Sequence, residues 1–192
     1  MNQLKEVTFI NAASLPYSNI EVDGNTLFSG RNGAGKTTIL RAVLYFYGAH
    51  RSEHLGISRN RKKRFEEYYF SKSNSYLVYK FSNDFGNVLA IVYKAGGVKL
   101  KYRFALETDG VDMKELFFEG NTAKDPKDLW NGLIKHGYTL SPVLQSPKEY
   151  RVFLYGQDHA NLQYSLIRAN SEYEQIAKML SNIFVNSKLD SG

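Results

Sequence analysis

The chain has 192 residues, 43% hydrophobic and 14% aromatic, which is enough apolar material to bury a core and excludes global disorder. It contains no cysteine, which excludes disulfides and thiolate metal sites. Its formal net charge of +6 is concentrated: Arg51, Arg59, Arg61, Lys62, Lys63 and Arg64 stand against the single acid Glu53 in one stretch, while the rest of the chain is nearly balanced.

The N-terminal stretch MNQLKEVTFINAAS has no basic region followed by a long apolar core, so it does not read as a secretion signal. No apolar run approaches the ~18 residues of a membrane span. The expectation is a soluble cytoplasmic protein with no membrane partner.

Residues 4–10 read as a strand, rich in Val, Thr, Phe and Ile. Residues 20–22 and 26–28 read as two more, separated by the turn pair Asp23-Gly24. From Lys36 the period changes. Ile39, Leu40, Val43, Leu44 and Tyr47 recur at helical spacing, and Gly48 supplies a stop. A strand, a glycine-rich loop and a helix therefore follow one another. Residues 50–64 read as a basic loop, and residues 65–70 as a short helix. Residues 76–81, 88–93 and 98–106 form three strand-like runs, with turns at residues 83–86 and at Gly96-Gly97. This predicts an antiparallel meander. Asp125-Pro126 opens a helix with an N-cap and a proline at the first position. An apolar run covers residues 139–144. Ser146-Pro147-Lys148-Glu149 then opens another helix in the form of a capping box.

A last helix is expected from residue 171 to about residue 186. Its seam of Tyr173, Ala177, Leu180 and Phe184 is spaced by four, three and four, and Ile176 and Ile183 widen it. A helix packed on the core and the root of a coiled coil over residues 172–188 both fit, because two heptads fall short of a diagnostic run. No internal repeat or low-complexity linker divides the chain, so residues 1–192 read as one domain.

The chemistry is carried by Gly30-Arg31-Asn32-Gly33-Ala34-Gly35-Lys36-Thr37, which matches G-x-x-x-x-G-K-[ST]. Glycines let the backbone wrap closely around phosphate oxygens. Successive backbone N–H groups form an anion-binding nest, and the following helix aims its positive end at the same place. Lys36 reaches the β- and γ-phosphates as a mobile point charge, Thr37 offers its hydroxyl to a magnesium ion, and Thr38 follows in the same turn. The expected ligand is ATP with Mg2+. Hydrolysis needs more, namely an acid at the end of a second buried strand. The run at residues 88–93 ends in Lys94, and the short apolar run at 116–118 ends in Glu119. The chain therefore reads as part of a catalytic site.

A P-loop reading G-x-N-G-A-G-K-T some thirty residues from the start resembles the heads of ABC-type ATPases of the SMC (structural maintenance of chromosomes) class, with Asn32 as the discriminating residue. The order of elements is similar too, and the closing stretch looks most like MukB-like and Wadjet-type condensin proteins. The resemblance implies an α/β P-loop NTPase fold, an ABC/SMC-type head half with a mixed sheet and an antiparallel β-meander. It implies that this chain is the N-terminal half of the head. The C-terminal half would bring the Walker B acid, the signature motif and the catalytic glutamate, and ATPase activity would await that completion. The implied partners are that C-terminal half, a second head in an ATP-dependent dimer, and DNA.

The resemblance also implies a glutamine loop that shares in the metal shell. Gln145, at the end of the apolar run and about a hundred residues after Lys36, is the candidate; a surface glutamine after a strand is the alternative, and Gln157 is a poorer match. The run of Arg59, Arg61, Lys62, Lys63 and Arg64 fits contact with DNA phosphates or a solvated loop. Phe65, Tyr68 and Tyr69 beside it fit base stacking or anchoring of the short helix. His50 and His54 are four apart without a third ligand, and His136 and His159 are isolated. Trp130 is expected to be buried. A stand-alone P-loop kinase or switch, and a DNA-binding module with a vestigial P-loop, are the competing functions.

Overall fold

The computed structural model describes residues 3–22, 34–51, 55, 63–108 and 110–166. The first strand, β1 (Leu4–Ala12), turns through Ala13 and Ser14 into β2 (Leu15–Glu21). Both turn residues have positive φ, 50° and 63°, the requirement of a two-residue hairpin whose twist matches its strands. Neither is Gly, Asn or Asp, so the turn carries backbone strain and no sequence signal. The backbone N–H of Ala13 donates to the carbonyl of Tyr69 at 3.3 Å and helps to hold it. The strand expected at residues 20–22 is the end of a longer one, since β2 begins at Leu15 and pairs with β1; Asp23, Gly24 and the run 26–28 lie outside the described residues.

The meander falls where the strand-like runs and their turns place it: β3 (Tyr76–Asn83), β4 (Gly86–Lys94) and β5 (Leu100–Leu106). Asn83 pairs with Gly86 across the first turn, and the Asn83 Oδ1 accepts from the Phe85 and Gly86 N–H groups. With the short β8 (Thr139–Leu140) they build a six-stranded sheet of order β2-β1-β3-β4-β5-β8. Every pairing among the described residues is antiparallel, so the parallel component of the expected mixed sheet is not among them. The apolar run at 139–144 is not one strand. It breaks at Ser141 and Pro142 and rejoins the sheet only as a bridge from Leu144 to Tyr102.

Both faces of the sheet are covered, which is why its strands read as continuous apolar runs. Leu77, Tyr79, Phe81, Val92 and Phe104 face the long helix α1 (Ala34–Phe46). Tyr76, Val78, Leu89, Ile91 and Tyr93 belong to the core of the opposite face. That core includes residues of α3 (Met113–Phe117) and α4 (Pro126–Lys135). Between these helices lies a hairpin of β6 (Phe118–Glu119) and β7 (Thr122–Ala123). The run at 116–118, weighed above as a strand leading to an acid, is therefore the end of a helix followed by a two-residue strand. Trp130 is half-buried rather than enclosed: its ring packs edge-on to Tyr93 at 5.0 Å with the Arg103 guanidinium 4.9 Å above it.

On the α1 side, α2 (Phe65–Tyr69), α5 (Pro147–Leu154) and a 3₁₀ helix (His159–Tyr164) join the layer, while the helix expected from residue 171 to about residue 186, with its seam over 172–188, lies outside the described residues. At the start of α5 the Ser146 hydroxyl accepts the Glu149 N–H at 3.2 Å, as a capping box requires. The reciprocal bond differs from the expected form, because the Glu149 carboxylate takes the N–H of Gln145 instead of that of Ser146.

Candidate functional site

The helix α1 begins inside the glycine motif, so Lys36 and Thr37 lie in its first turn. Gly30, Arg31, Asn32 and Gly33 lie outside the described residues. Gly35 is exposed, and among the described residues a methyl group placed on it would meet nothing within 4 Å. Lys36, Thr37 and Thr38 are half-buried, and no acidic residue stands in the first turn. Open space, a positive helix end, a cation and a hydroxyl therefore coincide, and this fits a metal-bound polyphosphate.

The rest of the helix is held by side chains remote in sequence. Four tyrosine hydroxyls donate to its carbonyls: Tyr69 to Thr38 at 2.6 Å, Tyr79 to Ala42 at 2.7 Å, Tyr150 to Phe46 at 2.6 Å and Tyr155 to Tyr47 at 2.7 Å. Thr38, Ala42 and Phe46 are four apart, so their carbonyls follow one line along the helix. A carbonyl has a second lone pair after its helical bond, and those at the C-terminus have no helical partner at all. These bonds fix both the depth and the axial position of α1. Burial, the dominant cause, raises the Tyr79 and Tyr150 hydroxyls well above the usual phenol range, so both remain donors.

The helix ends at Gly48, as its position after the apolar period predicts. Gly48 has φ 99°; its N–H bonds the carbonyl of Tyr45, and the N–H of Ala49 bonds that of Leu44. This is a Schellman stop, which only a residue at ease with positive φ supports without strain. His54 lies outside the described residues; past the stop lies His50, off the helix. Its Nδ1 accepts from Arg151 Nη1 at 3.0 Å, because a guanidinium can only donate. Burial first, and then the charge of Arg151, pushes His50 down to about 3, so it is neutral near neutral pH. Its ring packs edge-on to Tyr45 at 4.3 Å. His136 caps the end of α4 and His159 starts the 3₁₀ helix. No group of three His, Asp or Glu able to hold a metal ion occurs among the described residues.

The helix α2 lies against α1. Phe65 stacks on Tyr45 with ring centres 4.3 Å apart, while Tyr69 reaches Thr38. Phe65 and Tyr69 are buried as anchors, whereas Tyr68 is 39% exposed and its hydroxyl lies 3.5 Å from the Thr38 Oγ1. The three aromatics are thus not equivalent, and the sequence reading that grouped them is corrected for Tyr68. Of the basic run, Lys63 and Arg64 are exposed at the entry to α2; Arg59, Arg61 and Lys62 lie outside the described residues. Arg41 was missed by the sequence reading. It is buried in α1, where its Nε donates to the carbonyl of Leu55 at 3.0 Å and ties the loop after α1 back to the helix. A lone arginine inside an apolar helix period is the signal that could have marked it.

Gln145 is exposed and lines a cleft of about 530 Å³ with Tyr45, His50, Arg64, Lys99 and Tyr102. That cleft is built on the last turn of α1. From Thr37 to Tyr45 the helix rises about 12 Å.

The chain matches the model of the DUF3584 family, described as a protein of unknown function, over residues 15–183, and it belongs to that family. No curated protein and no solved structure matches it.

Proposed function

We propose that this DUF3584 protein binds ATP–Mg2+ through residues 30–37 and serves as the N-terminal lobe of an SMC-like head ATPase acting on DNA. The observation that carries the proposal is the placement of Lys36 and Thr37 in the open first turn of a helix that is otherwise clasped by the core. A triphosphate held there would meet backbone N–H groups, the helix dipole and the Lys36 ammonium, and the Thr37 hydroxyl would join the magnesium shell. Thr38 would lie alongside the same phosphates.

Hydrolysis is assigned to the head only after a C-terminal half and a second head complete it. The two runs considered for a Walker B acid support this division: β4 ends in Lys94, and residues 116 and 117 are helical. The exposed Lys63 and Arg64, with Arg59, Arg61 and Lys62 before them, would bind DNA phosphates with an affinity that falls steeply as salt rises. No helix among the described residues is long and apolar enough to cross a membrane.

Calorimetry with a nonhydrolysable ATP analogue and magnesium tests the core of the proposal. Binding is expected in the native chain, with a loss on the order of a hundredfold in Lys36→Ala, as for a charge-assisted phosphate contact removed without replacement. Undiminished affinity in Lys36→Ala would refute it. Turnover by this chain alone would instead favour a stand-alone P-loop enzyme.

A further inference from the structure

We infer that Tyr68 is the platform on which the base of the bound nucleotide stacks, an assignment that rests on nucleotide binding at the first turn of α1. A triphosphate lying across Lys36 and Thr37 must carry its ribose and base away along one flank of that turn. Tyr68 lines one flank: its hydroxyl is 3.5 Å from the Oγ1 of Thr38, the residue that follows Thr37. The other aromatics of α2 are consumed by packing. Phe65 stacks on Tyr45 and Tyr69, and Tyr69 donates its hydroxyl to the Thr38 carbonyl at 2.6 Å. Tyr68 alone among them is left 39% exposed.

A single exposed tyrosine is ordinary on a protein surface, so exposure does not make the case. Position and rigidity do. Tyr69 packs at right angles to the Tyr68 ring, with centres 5.1 Å apart, and is itself bonded to α1. The ring is therefore held beside the first turn before any ligand arrives, which lowers the ordering cost of binding. Every base has a π-face, so a stacking platform accepts purines without reading their edges. This accords with the lack of any purine-reading motif in the chain, and it implies similar affinities for ATP and GTP.

The experiment measures binding of ATP, GTP and inorganic tripolyphosphate, each with magnesium, to the full chain and to Tyr68→Ala and Tyr68→Phe. Circular dichroism melting confirms that the variants fold; Tyr68→Phe, which keeps the ring, serves as the second variant. Tyr68→Ala is expected to weaken ATP and GTP alike by about five- to a hundredfold, while tripolyphosphate binding is unchanged. Tyr68→Phe is expected to stay within about threefold of the native chain, since the stacking face is kept. Three outcomes would overturn the assignment: unchanged ATP affinity in Tyr68→Ala, an equal loss for tripolyphosphate, or an equal loss in Tyr68→Phe. Failure of the native chain to bind ATP or tripolyphosphate would instead remove the nucleotide site itself.

Discussion

From Ala42 to Phe46 the helix α1 is buried at every residue, its carbonyls take tyrosine hydroxyls, and a Schellman turn closes it. From Gly35 to Ile39 the same helix is exposed or half-exposed, and the tyrosine bonds described there, from Tyr69 and Tyr68, both fall on Thr38 and leave Lys36 and Thr37 half-exposed. The contrast teaches that stability and binding are divided along one element. The last turns hold the helix in the molecule, and the first turns present groups that face outward. Such a division lets a site keep unsatisfied backbone donors at a helix end, because the packing that offsets their cost lies elsewhere.

Substitutions at the two ends should therefore act on different properties. Phe46 is fully buried against Tyr79 and Phe81, with ring centres 5.1 and 5.7 Å away. Phe46→Ala should cost about 3–5 kcal/mol of folding stability, measured by urea or thermal unfolding. Lys36→Ala should leave stability within about 0.5 kcal/mol while weakening nucleotide binding by on the order of a hundredfold. A large loss of stability in Lys36→Ala would break the division.

His50 sharpens the comparison through pH. Held at about 3 by burial and Arg151, it is neutral in the folded chain, whereas in the unfolded chain it titrates near the ordinary value of 6.5. The stability it allows is complete above 6.5. As pH falls from there toward 3, the unfolded chain takes a proton that the folded chain refuses, and stability drops by up to about 1.4 kcal/mol per pH unit. In His50→Gln, which keeps an acceptor for Arg151, that part of the slope should vanish. Parallel stability curves for the two proteins between about pH 6.5 and 4 would show that His50 is not held neutral.

Much of this architecture is written locally. The apolar runs of β3, β4 and β5 with the turns between them, the helical period of α1, and the stop at Gly48 depend on residues a few positions apart, and each was legible. The glycine motif is local too, although its first four residues lie outside the described residues. What escaped depends on distance or brevity. The start of β2 was hidden because Ala13-Ser14 makes a hairpin without turn residues. The helix α3, the hairpin β6–β7 and the 3₁₀ helix are too short to show a period. The tyrosine clasp on α1 joins residues as far apart as Tyr150 and Phe46, and nothing in either neighbourhood announces it. Tyr68 separates from Phe65 and Tyr69 only when α2 is laid on α1, because four-residue spacing puts Phe65 and Tyr69 on the buried face and leaves Tyr68 beside it.

The smallest expected effects test whether the two ends are independent. Tyr69→Phe and Tyr150→Phe each remove one hydroxyl donor from an α1 carbonyl, at Thr38 and at Phe46. Each should lower stability by about 1 kcal/mol, because a single neutral hydrogen bond is lost while the ring and its packing remain. Their effects on nucleotide affinity should differ. Thr38 adjoins Lys36 and Thr37, so losing the Tyr69 bond loosens the turn that carries them. Phe46 is eight residues further on, about 12 Å along the helix. Tyr69→Phe should therefore weaken ATP binding a few-fold and Tyr150→Phe should not, as read by calorimetry at matched folded fraction. Equal weakening in both would mean that α1 shifts as a rigid rod, so that a bond at either end sets the position of the first turn.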